Sequence, residues 1–477
     1  MDRYNLIVIG GGAAGLTAAG GAALLGARVA LLERAVMGGE CLNNGCVPSK
    51  ALLHVARLAH LTRTAGPHAS GAAGPLPVHD LKAALAWVRA AQARIAPHDS
   101  AERFTAMGVE VIRSHARLCS SHEVEATDTG RRLWGRHVVI ATGSVPHLPE
   151  VPGLRESGYL TSDTVFDLDV LPSALLVLGG GPIGCELGQA FARLGSAVTI
   201  VNRGEHLLGR EDPDISAVLE RRFQREGIIV RNRSTLVAVE EAGGRRRARI
   251  RMAQGEVVVD VDRILVAAGR RPRVDGLGLD AAGVECDERG IRIDRTGRTS
   301  ASSVWAIGDV TASYRFTHWG GHQARLVVRN ALLPGRSRDD RDTLPWATFT
   351  DPEVARLGYS ETEAQQRAMT YDRYLVPFDE IDRAVCDGST DGFAKVLTGK
   401  GGRILGASIV HPHAGELIGE LVLAKKHGIA LGKLASLMHV YPTLTDVNRA
   451  LGDEYVLGRL IPRLRPFTSR LFAWVRR

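Results

Sequence analysis

At 477 residues, with 45% hydrophobic and 23% charged residues, the chain has the composition of a folded globular protein. It exceeds what one hydrophobic core organises, so about three domains are expected. The net charge of +8 comes from arginines spread along the whole chain, which argues against nucleic acid as a partner. No apolar run approaches the roughly 20 residues of a bilayer span, and Met1 to Gly12 lacks the features of a signal peptide, so a cytoplasmic address is expected.

Tyr4 to Ile9 is an apolar run that breaks into Gly10-Gly11-Gly12-Ala13-Ala14-Gly15 before an Ala/Leu-rich stretch to Leu25. This reads as strand, tight turn and helix. The next strand, Arg28 to Leu32, ends at Glu33, where a carboxylate can hold a ribose. Gly10, Gly12, Ala14 and Gly15 are therefore candidate contacts of a dinucleotide pyrophosphate, with Glu33 on its sugar. A glycine-rich turn alone is a weak signal; the preceding strand, following helix and well-spaced acid strengthen it.

Downstream stands Gly38-Gly39-Glu40-Cys41-Leu42-Asn43-Asn44-Gly45-Cys46-Val47-Pro48-Ser49-Lys50. Asn-Gly offers a turn that brings Cys41 and Cys46 together, and Pro48 before an Ala/Leu run puts a helix start at or just after Cys46. Thiols at a helix N-terminus have lowered pKa values. The other four cysteines, at 119, 185, 286 and 386, are isolated and make a poor disulfide framework. Half a zinc site is the competing reading of the pair, but two further ligands at short spacing are missing, and no metal site is expected.

Gly66 to Pro77 reads as a loop, and Asp80 to Ile95 as an Ala-rich helix. Strand-like Arg136 to Ile140 and Arg263 to Val266 end in Ala141-Thr142-Gly143 and Ala267-Ala268-Gly269, expected crossings between domains. Between them, Ala174 to Leu178 runs into Gly179-Gly180-Gly181-Pro182-Ile183-Gly184, then a helix through Leu194 and a strand from Ala197 to Val201. Gly179, Gly181, Ile183 and Gly184 thus repeat the first fingerprint, implying a second nucleotide-binding domain. Here the acid is missing: Asn202 and Arg203 follow the strand, with Arg210 a short loop away. Guanidinium forks suit a 2′-phosphate, which favours NADPH and leaves NADH open.

Val304 to Ile307 leads to Gly308-Asp309, whose carboxylate can serve a cofactor hydroxyl or cap a helix. From about Leu344 the pattern changes, with strands at Ala394 to Leu397 and Ile404 to Val410 and a helix at Gly415 to His427, which predicts an α+β domain. The tail, Gly458 to Arg477, carries arginines and no acid, interleaved with Leu, Phe and Trp. It can lie on an anionic membrane face, or pack its apolar side on its own dimer with the arginines in water.

Together these motifs resemble the class I pyridine nucleotide-disulfide oxidoreductases, the family of dihydrolipoamide dehydrogenase, glutathione reductase and mercuric reductase. The stretch from Gly38 to Lys50 is the most specific mark, and the likeness spans essentially the whole chain. It implies an α/β fold: two Rossmann-like dinucleotide-binding domains, for FAD and NAD(P)H, plus a C-terminal α+β dimerisation domain opened by Thr350-Asp351-Pro352-Glu353. The implied division is 1–150 and 271–343 for FAD, 151–270 for NAD(P)H and 344–477 for the interface. Ala141, Thr142, Gly143, Gly308 and Asp309 would serve FAD with the first fingerprint, and Gly269 would join the NAD(P)H contacts. The resemblance further implies hydride transfer from NADPH to the flavin, which reduces a Cys41–Cys46 disulfide. Cys41 would attack substrate and Cys46 face the flavin. Lys50 would sit beside the flavin with Glu186 as its partner, although Glu186 also reads as a helix-surface residue. A homodimer is implied, each active site completed by the partner's C-terminal domain.

One segment departs from the family. Its disulfide reductases supply an acid/base from His-x-His-Pro-Thr-x-x-Glu, whereas this chain reads His439-Val440-Tyr441-Pro442-Thr443-Leu444-Thr445-Asp446. A histidine of pKa about 6.5 trades protons with a thiol at neutral pH; a tyrosine of about 10 donates only weakly. Ordinary lipoamide or glutathione turnover is therefore not expected: either His439 takes over, or the substrate needs no delivered proton and Tyr441 is a wall residue. Mercuric reductase also lacks that histidine and resembles the run Leu207 to Pro213, but the vicinal cysteine pair near its C-terminus has no counterpart here, where Cys386 is last. The expected function is an NAD(P)H-dependent flavoprotein reductase of a small disulfide or another acceptor such as a quinone. Alternatives are mercuric-ion reduction, dihydrolipoamide dehydrogenation, and a low-turnover redox-responsive flavoprotein that binds a partner or membrane.

Overall fold

The computed structural model describes residues 1–64 and 80–476. The loop expected from Gly66 to Pro77, and Arg477, lie outside the described residues. Asp2–Ile9 is the central strand of the first sheet, and Leu6, Ile7 and Val8 are fully buried, as a parallel strand covered on both faces must be. It pairs in parallel with Val29–Glu33 on one side and Arg131–Ile140 on the other. Val109–Arg113 extends the parallel order beyond Val29–Glu33. Val304–Ala306, arriving much later in the chain, lies parallel to the end of Arg131–Ile140. The chain thus leaves this sheet and returns to it, which sets Asp309 close to the first glycine turn.

The second sheet has the order Ile229–Arg231, Ala197–Val201, Ala174–Leu178, Arg263–Val266, all parallel, with the helix Pro182–Leu194 following the second glycine turn. A three-stranded antiparallel meander, Thr235–Ala242, Arg245–Met252 and Gly255–Val261, is attached to it and was not foreseen. The middle strand reads as a run of arginines because only Ala248 and Ile250 are buried on its inner face. Its outer arginines pair across the strands, Arg247 with Asp260, Arg249 with Glu240 and Arg251 with Glu256.

The third sheet is five-stranded and antiparallel: Pro345–Thr348, Glu353–Gly358, Ile404–His411, Phe393–Thr398 and Asp372–Pro377. Ile404–His411 is buried along its whole length, and the helix Ala414–Lys426 packs its Leu417, Ile418 and Leu421 into this core. The expected strands and helix are present within a residue or two of their predicted ends; Pro345–Thr348, Glu353–Gly358 and Asp372–Pro377 were missed. Each is short, and Asp372–Pro377 and Pro345–Thr348 are edge strands with mixed burial, so neither shows a clean alternation.

A buried ion cluster locks the second and third units together. Lys395, on a strand of the third sheet, lies 2.9 Å from Asp212 and 2.8 Å from Asp214, with Glu361 at 3.4 Å. Burial alone would raise the Asp212 carboxyl; the Thr362 amide, the Lys395 ammonium and the Glu361 amide hold it down to about 2. Removing one partner of such a pair costs about 3–5 kcal/mol, so Lys395→Met is expected to lower the unfolding free energy from urea titration by that much at pH 7. Because the folded-state value lies below the unfolded value of about 3.9, the Asp212 contribution is complete above that pH and lost as pH falls through about 2. Urea titrations of wild type and Lys395→Met should therefore converge on acidification.

Candidate active site and its two cofactor cradles

The two glycine turns solve one geometric problem in the same way. Gly10 has φ +109°, and a Cβ there would stand 2.4 Å from the Ala141 carbonyl oxygen; a Cβ on Gly15 would stand 1.9 Å from the Gly10 oxygen. In the second turn, Gly179 (φ +124°) would meet the Ala267 oxygen at 2.3 Å, and Gly184 the Gly179 oxygen at 2.0 Å. Chain packing therefore demands the first and last glycine of each turn.

The middle glycines are different. Gly12 is extended (φ −80°, ψ 175°), and a Cβ there would touch only the Gly39 Cα at 3.7 Å. Gly181 is also extended, and a Cβ there would meet nothing within 4 Å. Neither strain nor packing within the chain requires glycine at these two places. Both open a helix N-terminus to close approach, which is what a dinucleotide pyrophosphate needs.

The rest of the first cradle fits FAD. Glu33 ends its strand with one carboxylate oxygen accepting from the Gly11 amide at 2.6 Å and the other from the Ala35 amide at 2.7 Å. Ala14 packs beneath Gly308 and Gly320, where added Cβ atoms would lie 3.4 and 3.1 Å from its own. Asp309 is raised by burial and accepts from the Ser144 hydroxyl at 2.9 Å. At the crossing, Thr142 donates to the Arg273 carbonyl at 2.7 Å, and Gly143 turns with φ +73°.

A cavity of about 380 Å³ lies at the second turn, lined by Gly179, Gly181, Ile183, Asn202, Arg203, Gly269 and Arg270 among others. The Asn202 amide is spent on the loop, donating to the His206 carbonyl and to Asn232, each at 2.8 Å. Arg203 is exposed and has no ion-pair partner among the described residues. Arg210 does not line the cavity; its carbonyl accepts from the buried Arg356.

The cysteine motif turns at Asn44-Gly45 as expected, with a short helix before the turn that the sequence did not suggest. Gly39–Asn43 forms one helical turn, the chain breaks at Asn44-Gly45, and a second helix runs from Cys46 to Thr64. The Gly45 amide donates to the Glu40 carbonyl at 2.7 Å, and Gln92 donates to the carbonyls of Leu42 and Asn43 at 3.0 and 2.7 Å. Gln92 thus satisfies carbonyls that the broken helix leaves over. Both cysteines are free thiols. Cys46 is drawn down to about 6, first by the hydrogen bond from Cys41, against burial, then by Thr317 and the charge of Lys50. Cys41 is pushed up by that same hydrogen bond and by burial. Thr317 Oγ1 stands 3.3 Å from Cys46 Sγ.

One turn along the redox helix, Lys50 Nζ lies 2.7 Å from the buried Glu186 carboxylate and 4.5 Å from the centre of the Phe349 ring. The Phe349 amide donates to the other Glu186 oxygen at 2.9 Å. Glu40, beside Cys41, pairs with Arg270 of the nicotinamide-side cavity; burial raises its carboxyl to about 7. Sequence reasoning missed the roles of Glu40, Thr317, Phe349 and Arg270, the last three because only folding brings these distant residues to the motif. Glu40 alone had a signal, an acid directly beside a candidate redox cysteine.

His439 and Tyr441 make no hydrogen bond to Cys41 or Cys46 within the protomer. Tyr441 is 71% exposed, and its hydroxyl donates to Asp382 at 2.7 Å, which holds the phenol above its usual range. His439 is nearly buried: Nε2 meets Glu420 at 3.1 Å and Nδ1 lies 3.3 Å from the Leu437 carbonyl. Asp446 pairs with Arg449 at 2.7 Å. Among the described residues no group of three or more His, Cys, Asp or Glu is gathered to hold a metal ion, and no helix is long and apolar enough to cross a membrane.

Two dinucleotide cradles converging on a dithiol define a flavoprotein oxidoreductase. The chain matches the pyridine nucleotide-disulphide oxidoreductase family over residues 4–325 and that family's dimerisation domain over residues 344–450. It belongs to this family of FAD-dependent, NAD(P)H-linked oxidoreductases, and the dimerisation domain supports a homodimer. Mercuric reductase of Lysinibacillus sphaericus is 33% identical over 450 residues, covering 93% of this chain and 81% of the relative. Dihydrolipoyl dehydrogenase of Chlamydia muridarum is 34% identical over 454 residues, covering 94% and 95%. Among solved structures, a Cu(II) complex of the HOCl-induced flavoprotein disulfide reductase RclA from Escherichia coli superposes with a TM-score of 0.82 at 28% identity, over 96% of this chain and 100% of that one. LpdA from Mycobacterium tuberculosis gives 0.84 at 27% identity, over 95% and 99%.

Two measurements check this site. In Gly12→Ala, FAD retention read by flavin absorbance should weaken about tenfold or more, while the melting of the apoprotein stays within about 0.5 kcal/mol of wild type. In the reduced apoprotein, iodoacetamide labelling followed by peptide mass should modify Cys46 with a midpoint near pH 6 and leave Cys41 slow.

Proposed function

We propose that this enzyme passes electrons from NADPH through FAD and the Cys41–Cys46 pair to an acceptor whose reduction needs no proton from a histidine at position 441. The observation that carries the reading is Tyr441 itself, exposed, with its hydroxyl given to Asp382 and its proton held more tightly than in free tyrosine. His439 is a poor substitute, because both ring nitrogens are engaged within its own subunit. Bound FAD supplies the two-electron relay between reduced nicotinamide and the disulfide. Cys46, the lower of the two thiols, is the thiolate that faces the flavin; Cys41 is the thiol that meets the acceptor. Lys50, steered by Glu186, sets a positive charge beside the flavin and the Cys46 thiolate.

Arg203 supports NADPH over NADH, since an unpaired guanidinium beside the cavity is available to a 2′-phosphate. Residues 1–150 and 271–343 are assigned to FAD, 151–270 to NADPH and 344–477 to the dimer interface. The exposed segment around Tyr441 supports a site completed across the dimer, where it would form the wall opposite Cys41 of the other subunit. The enzyme acts in the cytoplasm.

A second reading, reduction of a soft metal ion held by the two thiolates, is favoured by the mercuric reductase relatives and by the Cu(II) complex of RclA. Such an ion asks for electrons and no proton. Against mercury in particular, the chain has no cysteine after Cys386 to hand the metal in. Lipoamide chemistry and a low-turnover binding role are less well supported, the first because of Tyr441, the second because the thiol pair and the Lys50–Glu186 pair are intact.

Anaerobic reduction by NADPH should raise a long-wavelength thiolate-to-flavin band that Cys46→Ser abolishes. Tyr441→His should raise turnover of small disulfides by about 10²-fold without changing that band. A Tyr441→Phe variant that loses more than about tenfold in turnover of the best acceptor, while anaerobic reduction of the flavin by NADPH stays as fast as in wild type, would make Tyr441 the proton donor and end this reading. Arg203→Ala should raise KM for NADPH about tenfold and leave NADH untouched.

A further inference from the structure

After Tyr455 the chain leaves the body of the protein. Tyr455 is buried with its ring 5.4 Å from Tyr374, and Arg459 pairs with Asp372 at 3.2 Å, so the root of the tail is fastened to the third sheet. A π-helical turn, Val456–Leu460, continues into the helix Ile461–Val475, in which no residue is buried. Leu457, Leu460, Leu464, Phe467, Leu471 and Trp474 recur at alternating spacings of three and four and share one face. Phe467 is 70% exposed and Trp474 73%. Ile461, Phe472 and Val475 widen that face to an arc of roughly 160° at 100° per residue. Arg463 and Arg470 line one edge of the arc, Arg465 and Arg476 the other. None of these four has an ion-pair partner among the described residues, and no acid occurs from Val456 to Arg476.

We propose that this helix lies in the surface of an anionic lipid bilayer, its apolar arc sunk to the acyl boundary and its arginines on the headgroups. Aromatic and leucine side chains on one face with arginines on both flanks are what an interfacial helix presents. The arginine stems reach from the edge of the arc up to anionic headgroups. The alternative occupant, the tail of a second copy, fits less well. A two-stranded seam is narrower than this arc, and a two-fold pairing would bring arginine rows together with no acid to offset them. The proposal goes beyond the choice of acceptor and does not depend on it.

The test is vesicle sedimentation of the full-length holoenzyme, with phosphatidylcholine alone and with phosphatidylcholine plus phosphatidylglycerol. Binding should be about tenfold or more stronger to the anionic vesicles and should weaken with salt. Leu471→Glu, and separately the pair Arg463→Glu and Arg470→Glu, should each remove most of it, with NADPH oxidation in solution and the dimer unchanged. A blue shift of tryptophan emission on adding anionic vesicles should vanish in Trp474→Phe. Equal sedimentation of wild type and Leu471→Glu overturns the proposal. So does dissociation of the dimer by Leu471→Glu in velocity sedimentation, which would make the tail a seam between copies.

Discussion

Lys50 stands where the three units of the molecule meet. It rises from the redox helix of the first, its ammonium rests on the buried Glu186 of the second, and the Phe349 ring of the third lies beneath it. The Phe349 amide closes the triangle on Glu186. A carboxylate this buried needs a cation and a hydrogen-bond donor, and here they come from two different units. The redox helix is thereby held in register with both neighbours. That register puts Cys46 at a helix N-terminus near Thr317, with the Lys50 charge within reach, and both add to the larger lowering of the Cys46 thiol by the Cys41 hydrogen bond.

The same constraint separates the inward and outward halves of the chemistry. On the inward side Lys50 is matched by Glu186, and Glu40 by Arg270. On the outward side the groups that would move protons are tied up. Tyr441 is bonded to Asp382 and His439 to Glu420, which also accepts from Asn448 at 2.9 Å. With Tyr441 and His439 as the proposed wall of the site, delivering electrons is favoured over delivering protons.

Glu40 and Arg270 also join the two cradles. Glu40 belongs to the cysteine motif, Arg270 lines the second cavity, and Arg270 reaches Ser144 at 2.7 Å, the residue that donates to Asp309. A chain of direct contacts therefore runs from the nicotinamide-side cavity to the carboxylate of the first cradle and to the turn that carries Cys41. The raised Glu40 carboxyl, near 7, makes this contact the most pH-responsive one beside the thiols.

Sequence alone determined the two glycine turns, the strands feeding them, the helix start at Cys46 and the pairing of fold with cofactor class. Each is a local matter, in which a glycine of positive φ or a run of apolar residues leaves its mark within a dozen positions. The departure at Tyr441 was equally visible, being a single letter in a fixed motif. Sequence could not show that Gly39–Asn43 is itself helical before the turn, since Gln92 supplies the bonds its last carbonyls need. The tertiary structure alone decided that Glu186 is a buried partner of Lys50 and not a surface acid, and that Arg203 faces the cavity while Arg210 does not. It alone showed the tail helix leaving the body with its apolar face uncovered. The buried contacts among those outcomes join residues far apart in the chain, by 50 positions for Gln92 and Leu42 and 136 for Lys50 and Glu186, and such contacts are set by how the units stack, for which a short stretch of sequence carries no signal.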